Sequence, residues 1–407
     1  MERNPLRIGG ELRDGPEVEV IRSPFDDQPV GEVVVAGERD MDDAIAIAHA
    51  AFAKVRALPT HARAAIAEAT SRAITEQGEA LAALMARESG KPIRWGRAEV
   101  SRAALTFALA AAEARTAGGH VMPIDQQPAG EGRLCLHVRV PRGPVAAISP
   151  FNFPLNLVAH KLAPAIAVGT TTVLKPPPQA PLTSHRLAAL LADAGLPAGA
   201  LSVLHCPPAV AQRMVEDDRM AVLSFTGSDA VGWRLKALAG RKPVMLELGG
   251  NAPCVIDRDV DLDEVMPRLL VGAWAHAGQV CIKAQRVLVP AETLDAFVAR
   301  FVAQTEQLVV GDPLREDTWV GPLIDRAAAE RVEAWIEQAV DAGARVRCGG
   351  RRQGTLVQPT ILTDVPPDAR VCRDEVFGPV TVVQPYGSFD DALAACNEGR
   401  FGLQAGV

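Results

Sequence analysis

The sequence predicts an α/β protein made of two doubly wound halves with a projecting hairpin, and three observations carry that prediction. From Gly143 onward, short uninterrupted apolar runs alternate with helical stretches of roughly 10–15 residues, the signature of strand–helix–strand units whose parallel sheet is buried on both faces. After Gly249-Gly250 a second series of the same kind begins. The chain has 407 residues, 48% hydrophobic and 22% charged. At about 100–200 residues per domain that is two or three domains, with a core large enough to need neither disulfides nor metal.

The first third reads as helices. Beyond Asp40, apolar residues recur at Ala44, Ile47, Ala51 and Phe52 with a helical period. A second helix is predicted over 61–88, stopped by Gly90 and the following Lys91-Pro92, and a third over 96–117, ending at Gly118-Gly119. The polar stretch 125–132, flanked by short strand-like runs, reads as a hairpin leaving the body. Strands are then predicted at 145–148, 170–174, 200–204, 221–225 and 243–248, with helices at 155–167, 182–194 and 209–216 and from Asp229. In the second series helices fall at 262–277, 294–308 and 327–342, with strands at 287–289 and 380–383. The chain carries no internal repeat and no low-complexity tract.

Charge and cysteine usage narrow the function. The 42 Lys+Arg against 49 Asp+Glu give a net charge of −7, which argues against an extended phosphate backbone as partner. No secretory leader is evident at Met1-Glu2-Arg3-Asn4-Pro5. The most apolar stretch, 145–174, is broken by Pro150, Pro154, Pro164 and Lys161, so no membrane span is expected. The seven cysteines are scattered with no C-x-x-C pair, which fits reduced thiols in a cytosol. The histidines do not pair at metal-ligand spacing, and His205-Cys206, neighbours in a predicted strand, would point to opposite faces. No metal site is expected.

Five positions stand at element boundaries where chemistry is possible. Cys281 follows Gly278-Gln279-Val280 after a long apolar helix. A lone cysteine is more often packing, but a glycine-permitted turn can expose and polarise a thiol. Glu247 ends an apolar strand in Leu246-Glu247-Leu248-Gly249-Gly250. It reads either as simple alternation or as a general base whose pKa is raised by desolvation in a cleft. Asn152, between Pro150 and Pro154, is either an N-cap or an amide aimed at a developing oxyanion. Gly227-Ser228-Asp229-Ala230-Val231-Gly232 joins a strand to a helix, as an ordinary Ser-capped turn or a phosphate-facing one. Lys175, ahead of Pro176-Pro177-Pro178, is a solvated charge or a ribose or phosphate contact.

Taken together, Pro150-Phe151-Asn152-Phe153-Pro154, Val173-Leu174-Lys175-Pro176, Phe225-Thr226-Gly227-Ser228, Leu246-Glu247-Leu248-Gly249-Gly250-Asn251, Gly278-Gln279-Val280-Cys281 and Glu375-Val376-Phe377-Gly378-Pro379 resemble the aldehyde dehydrogenase superfamily, in its order and near its spacing over essentially the whole chain. The resemblance implies a Rossmann-like dinucleotide-binding domain (1–118 and 138–249), an oligomerisation hairpin (119–137) and a Rossmann-like catalytic domain (250–407). It implies Cys281 as nucleophile, an oxyanion held by the Asn152 amide and the Cys281 N–H, and Glu247 as the base that activates water on the thioester. Relatives that pass the acyl group to coenzyme A typically lack this glutamate, so hydrolysis to the acid is expected. For an NAD or NADP cofactor it implies Lys175 and Glu375 at the riboses and Gly227, Ser228, Val231 and Gly232 at the pyrophosphate. Phe377 flanks the nicotinamide, and Phe151, Phe225 and Leu248 complete the wall.

Two departures refine this. NAD-preferring relatives often carry Glu three residues after the lysine. Here Pro178 cannot bond a ribose diol and removes a charge that would repel a 2′-phosphate, so NADP is expected to be accepted. The chain stops at Gly402-Leu403-Gln404-Ala405-Gly406-Val407, where relatives continue through the last catalytic elements, part of the substrate wall and the strand that pairs with a neighbouring subunit. C-terminal elements are therefore expected to be missing, and activity and homo-oligomerisation to depend on them. The alternative function is a catalytically inactive dinucleotide-binding fragment. A cysteine hydrolase would need a base beside Cys281, and His276 lies outside the i,i+3/i+4 neighbour spacing. The substrate expected is a small aldehyde, because Val280 offers no cation, in a branch resembling lactaldehyde, glyceraldehyde-phosphate and phosphonoacetaldehyde dehydrogenases through Pro154-Leu155-Asn156-Leu157-Val158-Ala159-His160-Lys161.

Overall fold

A computed structural model describes residues 2–407 and places a parallel sheet at the centre of each half of the chain. The first sheet has seven strands in the order Val244–Glu247, Val222–Thr226, Val145–Ile148, Thr172–Lys175, Leu201–Val203, Leu6–Ile8, Glu11–Arg13. The first five run parallel, as their unbroken apolar runs require. The helices between them match the predicted ones to within a few residues: Asn156–Val168, Leu182–Asp193, Pro208–Glu216 and Asp229–Leu238. One face packs on Leu155, Leu162, Leu174 and Phe107, the other on Met41, Ile45, Met214 and Phe225.

The second sheet runs Ala252–Val255, Ala284–Pro290, Val380–Tyr386, Thr360–Thr363, Arg345–Cys348, with only the last pair antiparallel. Its core is built on Trp274, Phe297 and Phe301, with the Trp274 and Phe301 rings stacked at 5.7 Å. Burying a large side chain of this kind contributes about 1.5–3 kcal/mol. Gly406 bridges to the outer strand, its N–H donating to the Pro253 carbonyl at 3.0 Å and its own carbonyl accepting from Val255 N–H at 2.9 Å. The hairpin is present as His120–Met122 paired with Cys135–His137. Among the described residues no helix is long and apolar enough to cross a membrane.

Several expectations are corrected. The first third does not open on helices: short strands, among them Leu6–Ile8, Val18–Arg22 and Pro29–Val34, precede the first helix, Glu38–Arg56. Runs of two to six residues are too short to show a period. The helix predicted over 61–88 is two, Thr60–Glu76 and Gly78–Ser89, broken where a Cβ on Gly78 would meet Val100 of the crossing helix Ile93–Thr116 at 3.3 Å. The helix predicted over 262–277 ends at Trp274, because His276 and Ala277 both take left-handed φ values of 50° and 54°. The strand assigned to His205-Cys206 ends at Val203. Strands Ala252–Val255, Arg345–Cys348 and Thr360–Thr363 and the helix Phe389–Asn397 were not legible in the pattern.

Candidate active site

Strands Val145–Ile148 and Val222–Thr226 are neighbours, yet the chain builds outward from them in opposite directions. Such a switch point leaves a crevice beyond the carboxyl ends of the strands. A cleft of about 580 Å³ fills it and gathers, from segments far apart in sequence, Phe151, Asn152, Lys175, Phe225, Gly227, Ser228, Val231, Glu247, Leu248, Cys281, Glu375 and Phe377. Gly232 does not line the cleft but sits beneath it, where a Cβ would collide with Leu248 and lie 3.3 Å from Phe225.

Cys281 stands in the turn before strand Ala284–Pro290. Gly278, at φ +69°, makes that turn possible. A side chain there would strike the Gly378 carbonyl, so no other residue fits. Burial, and then the negative charges of Glu375 and Glu247, push the thiol above its ordinary pKa. The resting group is therefore a thiol, and a base must take its proton. His276 is not that base: it is fully buried, neither ring nitrogen has a protein partner, and its ring packs at 6.4 Å from Phe153. Burial and then the Lys91 charge hold its pKa well below the usual value.

Asn152 is 3% exposed and its Nδ2 donates to the Gln279 carbonyl at 3.0 Å, two residues before the thiol. An amide nitrogen carries two hydrogens, so one fixes the side chain and one remains to give. Asn152 is not an N-cap: the following helix starts at Asn156. The Glu99 carboxylate fills that role, accepting from Leu155 N–H and Asn156 N–H at 2.9 Å each.

Glu247 is exposed, so the burial invoked for it from sequence is absent. It ends the edge strand of the seven-stranded sheet and lines both the cleft and a second cavity of about 740 Å³, which also holds His160 and Lys161. Lys161 Nζ donates to Thr226 Oγ1 at 2.9 Å and Ser224 Oγ at 3.1 Å. Burial lowers its pKa to about 7, against the raising effect of Glu247.

The remaining wall suits a dinucleotide. Ser228 is the N-cap of helix Asp229–Leu238 yet makes no capping bond, leaving the helix amino end facing the cleft. A Cβ on Gly227 would lie 2.6 Å from the Phe225 ring, so only glycine keeps this floor open. Lys175 is buried, not solvated, and its one protein acceptor is the Pro176 carbonyl at 3.2 Å. Glu375 accepts from Gly250 N–H at 3.0 Å, and burial pushes its pKa up to about 7. Phe377 takes a strained φ of +47° and meets Phe151 edge to face at 5.8 Å.

Residues 13–407 match the aldehyde dehydrogenase family. The chain belongs to that family. It is 40% identical over 403 residues to 3-sulfolactaldehyde dehydrogenase of Priestia aryabhattai, covering 99% of this chain and 84% of that one. It is 36% identical over 411 residues to the NADP+-dependent succinate-semialdehyde dehydrogenase GabD of Escherichia coli, again 99% and 84%. Among solved structures it superposes on an aldehyde dehydrogenase from Physcomitrella patens, in complex with the reaction product succinate, with a TM-score of 0.97 at 38% identity, covering 99% of this chain and 85% of that one. This aldehyde dehydrogenase oxidises an aldehyde to its acid with NAD or NADP. Matching over nearly the whole chain speaks against the inactive-fragment alternative.

Three side chains around Phe153 were not singled out from sequence, Glu99 and Arg102 because they look like ordinary helix residues and Lys91 because it stands in the turn between two helices. Lys91 and Glu99 form a fully buried ion pair, with Lys91 Nζ 3.8 Å from the Phe153 ring centroid. Arg102, itself exposed, lies 5.6 Å from the centroid of the same ring, and its charge faces His160. Partial burial and then the charges of Arg102 and Lys161 hold the His160 pKa below its ordinary value.

Proposed function

We propose that this aldehyde dehydrogenase oxidises a short aldehyde carrying an anionic group, through a thioester on Cys281 that is hydrolysed to the acid. The observation that carries the reading is the Asn152–Gln279 bond, which fixes an amide donor beside the only thiol of the cleft. Glu247 takes the Cys281 proton, the S–C bond forms, and the former carbonyl oxygen becomes an oxyanion held by the Asn152 amide and the Cys281 N–H. When bound, the nicotinamide ring supplies the acceptor for the hydride, two electrons and one hydrogen. Glu247 passes that first proton to solvent and then deprotonates a water, hydroxide adds to the thioester, and the C–S bond breaks to release the acid and leave the Cys281 thiolate.

Lys175, Gly227, Ser228, Gly232, Glu375 and Phe377 form the cofactor wall in this reading, with Phe151, Phe225, Val231 and Leu248 as its apolar surface. Pro178 leaves room for a 2′-phosphate and supports acceptance of NADP. The anionic substrate is supported by Arg102 beside Phe153, a cation that Val280 could not supply. Sulfolactaldehyde and succinate semialdehyde, named for the two relatives, both carry an anion at the far end. The hairpin, exposing Leu134, Leu136, Val138 and Val140, supports contact with a second copy, and seven free cysteines fit a reducing compartment. Assay of sulfonated, carboxylated, phosphorylated and neutral short aldehydes with both cofactors tests the substrate. Turnover confined to the neutral ones would overturn the anionic reading.

A further inference from the structure

Beyond Lys175 the cofactor cleft opens into a third cavity, of about 430 Å³, which shares Lys175, Pro178 and Pro208 with it. The far wall of that cavity is acidic. It is made by Glu17 and Glu19 at the start of strand Val18–Arg22, one of the short N-terminal strands, together with His205. Glu19 is held in place: its Oε2 lies 2.8 Å from Nε2 of the buried His205. Burial keeps His205 below its ordinary pKa, so the ring donates to Glu19 as a neutral group and adds no positive charge beside the carboxylate. Lys175, 6% exposed and with one protein acceptor, is the cation that faces this wall.

We propose that Glu19 is the residue that discriminates between NAD and NADP, restoring from another strand the carboxylate that Pro178 removes. The inference rests on Lys175 marking the adenosine ribose. A group leaving the cleft between Lys175 and Pro178 enters the space in front of Glu19. A 2′-phosphate, with close to two negative charges (about −1.5 to −2 at neutral pH), meets a fixed anion there, whereas a free 2′-hydroxyl can donate to it. Glu19 therefore holds NADP acceptance below what Pro178 alone permits and makes NAD the preferred cofactor.

The test is titration of NADH and NADPH by fluorescence enhancement on the whole chain and on its Glu19→Gln, Glu19→Lys and Lys175→Met variants, with melting curves to confirm folding. Glu19→Gln keeps an acceptor for His205 and is expected to tighten NADPH roughly fivefold, Glu19→Lys further, with NADH changed by less than about twofold. Lys175→Met is expected to weaken both. Unchanged NADPH affinity in both Glu19 variants, equal shifts for the two cofactors, or a wild-type chain that binds NADPH more tightly than NADH would overturn the proposal. If Lys175→Met leaves both affinities unchanged, the adenosine reading of the cleft falls with it. If it weakens both while the Glu19 variants are silent, only the role of Glu19 fails.

Discussion

The side-chain amide of Asn152 donates to the main-chain carbonyl of Gln279 at 3.0 Å, so the turn that carries the amide and the turn that carries the thiol are tied together across the two halves of the chain. Gln279 is itself anchored: its Oε1 accepts from Ile324 N–H at 2.9 Å. The donor is thus fixed before any substrate arrives, which is what electrostatic stabilisation of an oxyanion requires. Asn152→Ala is expected to lower kcat by about 10²–10³ with cofactor affinity unchanged, measured by steady-state kinetics and NADH titration. A loss confined to KM would place Asn152 in substrate binding instead.

The thiol is expected to be alkylated slowly at neutral pH. Burial and the charges of Glu375 and Glu247 raise its pKa, so the iodoacetamide rate of the cofactor-free protein should climb through a midpoint above the ordinary thiol range. Removing either charge lowers the thiol pKa. The midpoint should therefore move down in Glu375→Gln and, by less, in Glu247→Gln. A midpoint that stays put in both would show that these carboxylates do not act on Cys281.

The Lys91–Glu99 pair lies wholly inside the protein, against Phe153 and at the amino end of helix Asn156–Val168. Lys91→Met leaves a buried carboxylate uncompensated and is expected to cost about 3–5 kcal/mol in denaturant unfolding. Glu99→Gln added to it should recover much of that loss. Equal instability of the single and double variants would mean that the pair is not the source.

Arg102 gives a specificity test. Arg102→Ala is expected to raise KM for an anionic short aldehyde roughly tenfold while leaving a neutral aldehyde of the same length within about twofold. Parallel changes for both substrates would remove Arg102 from the anion site.

Much of the central sheet was legible because its strands are unbroken apolar runs, each ending in the residues that matter: Asn152, Lys175, Gly227 and Glu247 all follow or close such a strand. Cys281 was legible through the glycine three residues before it. What could not be read is what depends on distant packing. Glu99 and Arg102 sit on a long helix where charged residues look solvated, and only the fold brings them to Phe153. Glu19 lies on a five-residue strand within a segment read as helical. Of the two readings of Glu247, alternation and a desolvated base, the sequence could not choose, because the choice depends on its strand lying at the sheet edge, where the carboxylate is exposed between two open cavities.

The central claim, a thioester on Cys281 that Glu247 resolves, is tested most directly by intact-protein and peptide mass spectrometry of Glu247→Gln mixed with aldehyde and oxidised cofactor. The expected result is one acyl group per chain on the peptide containing Cys281, formed with one equivalent of reduced cofactor and no further turnover. Full turnover without an adduct, or an acyl group on another cysteine, would contradict it.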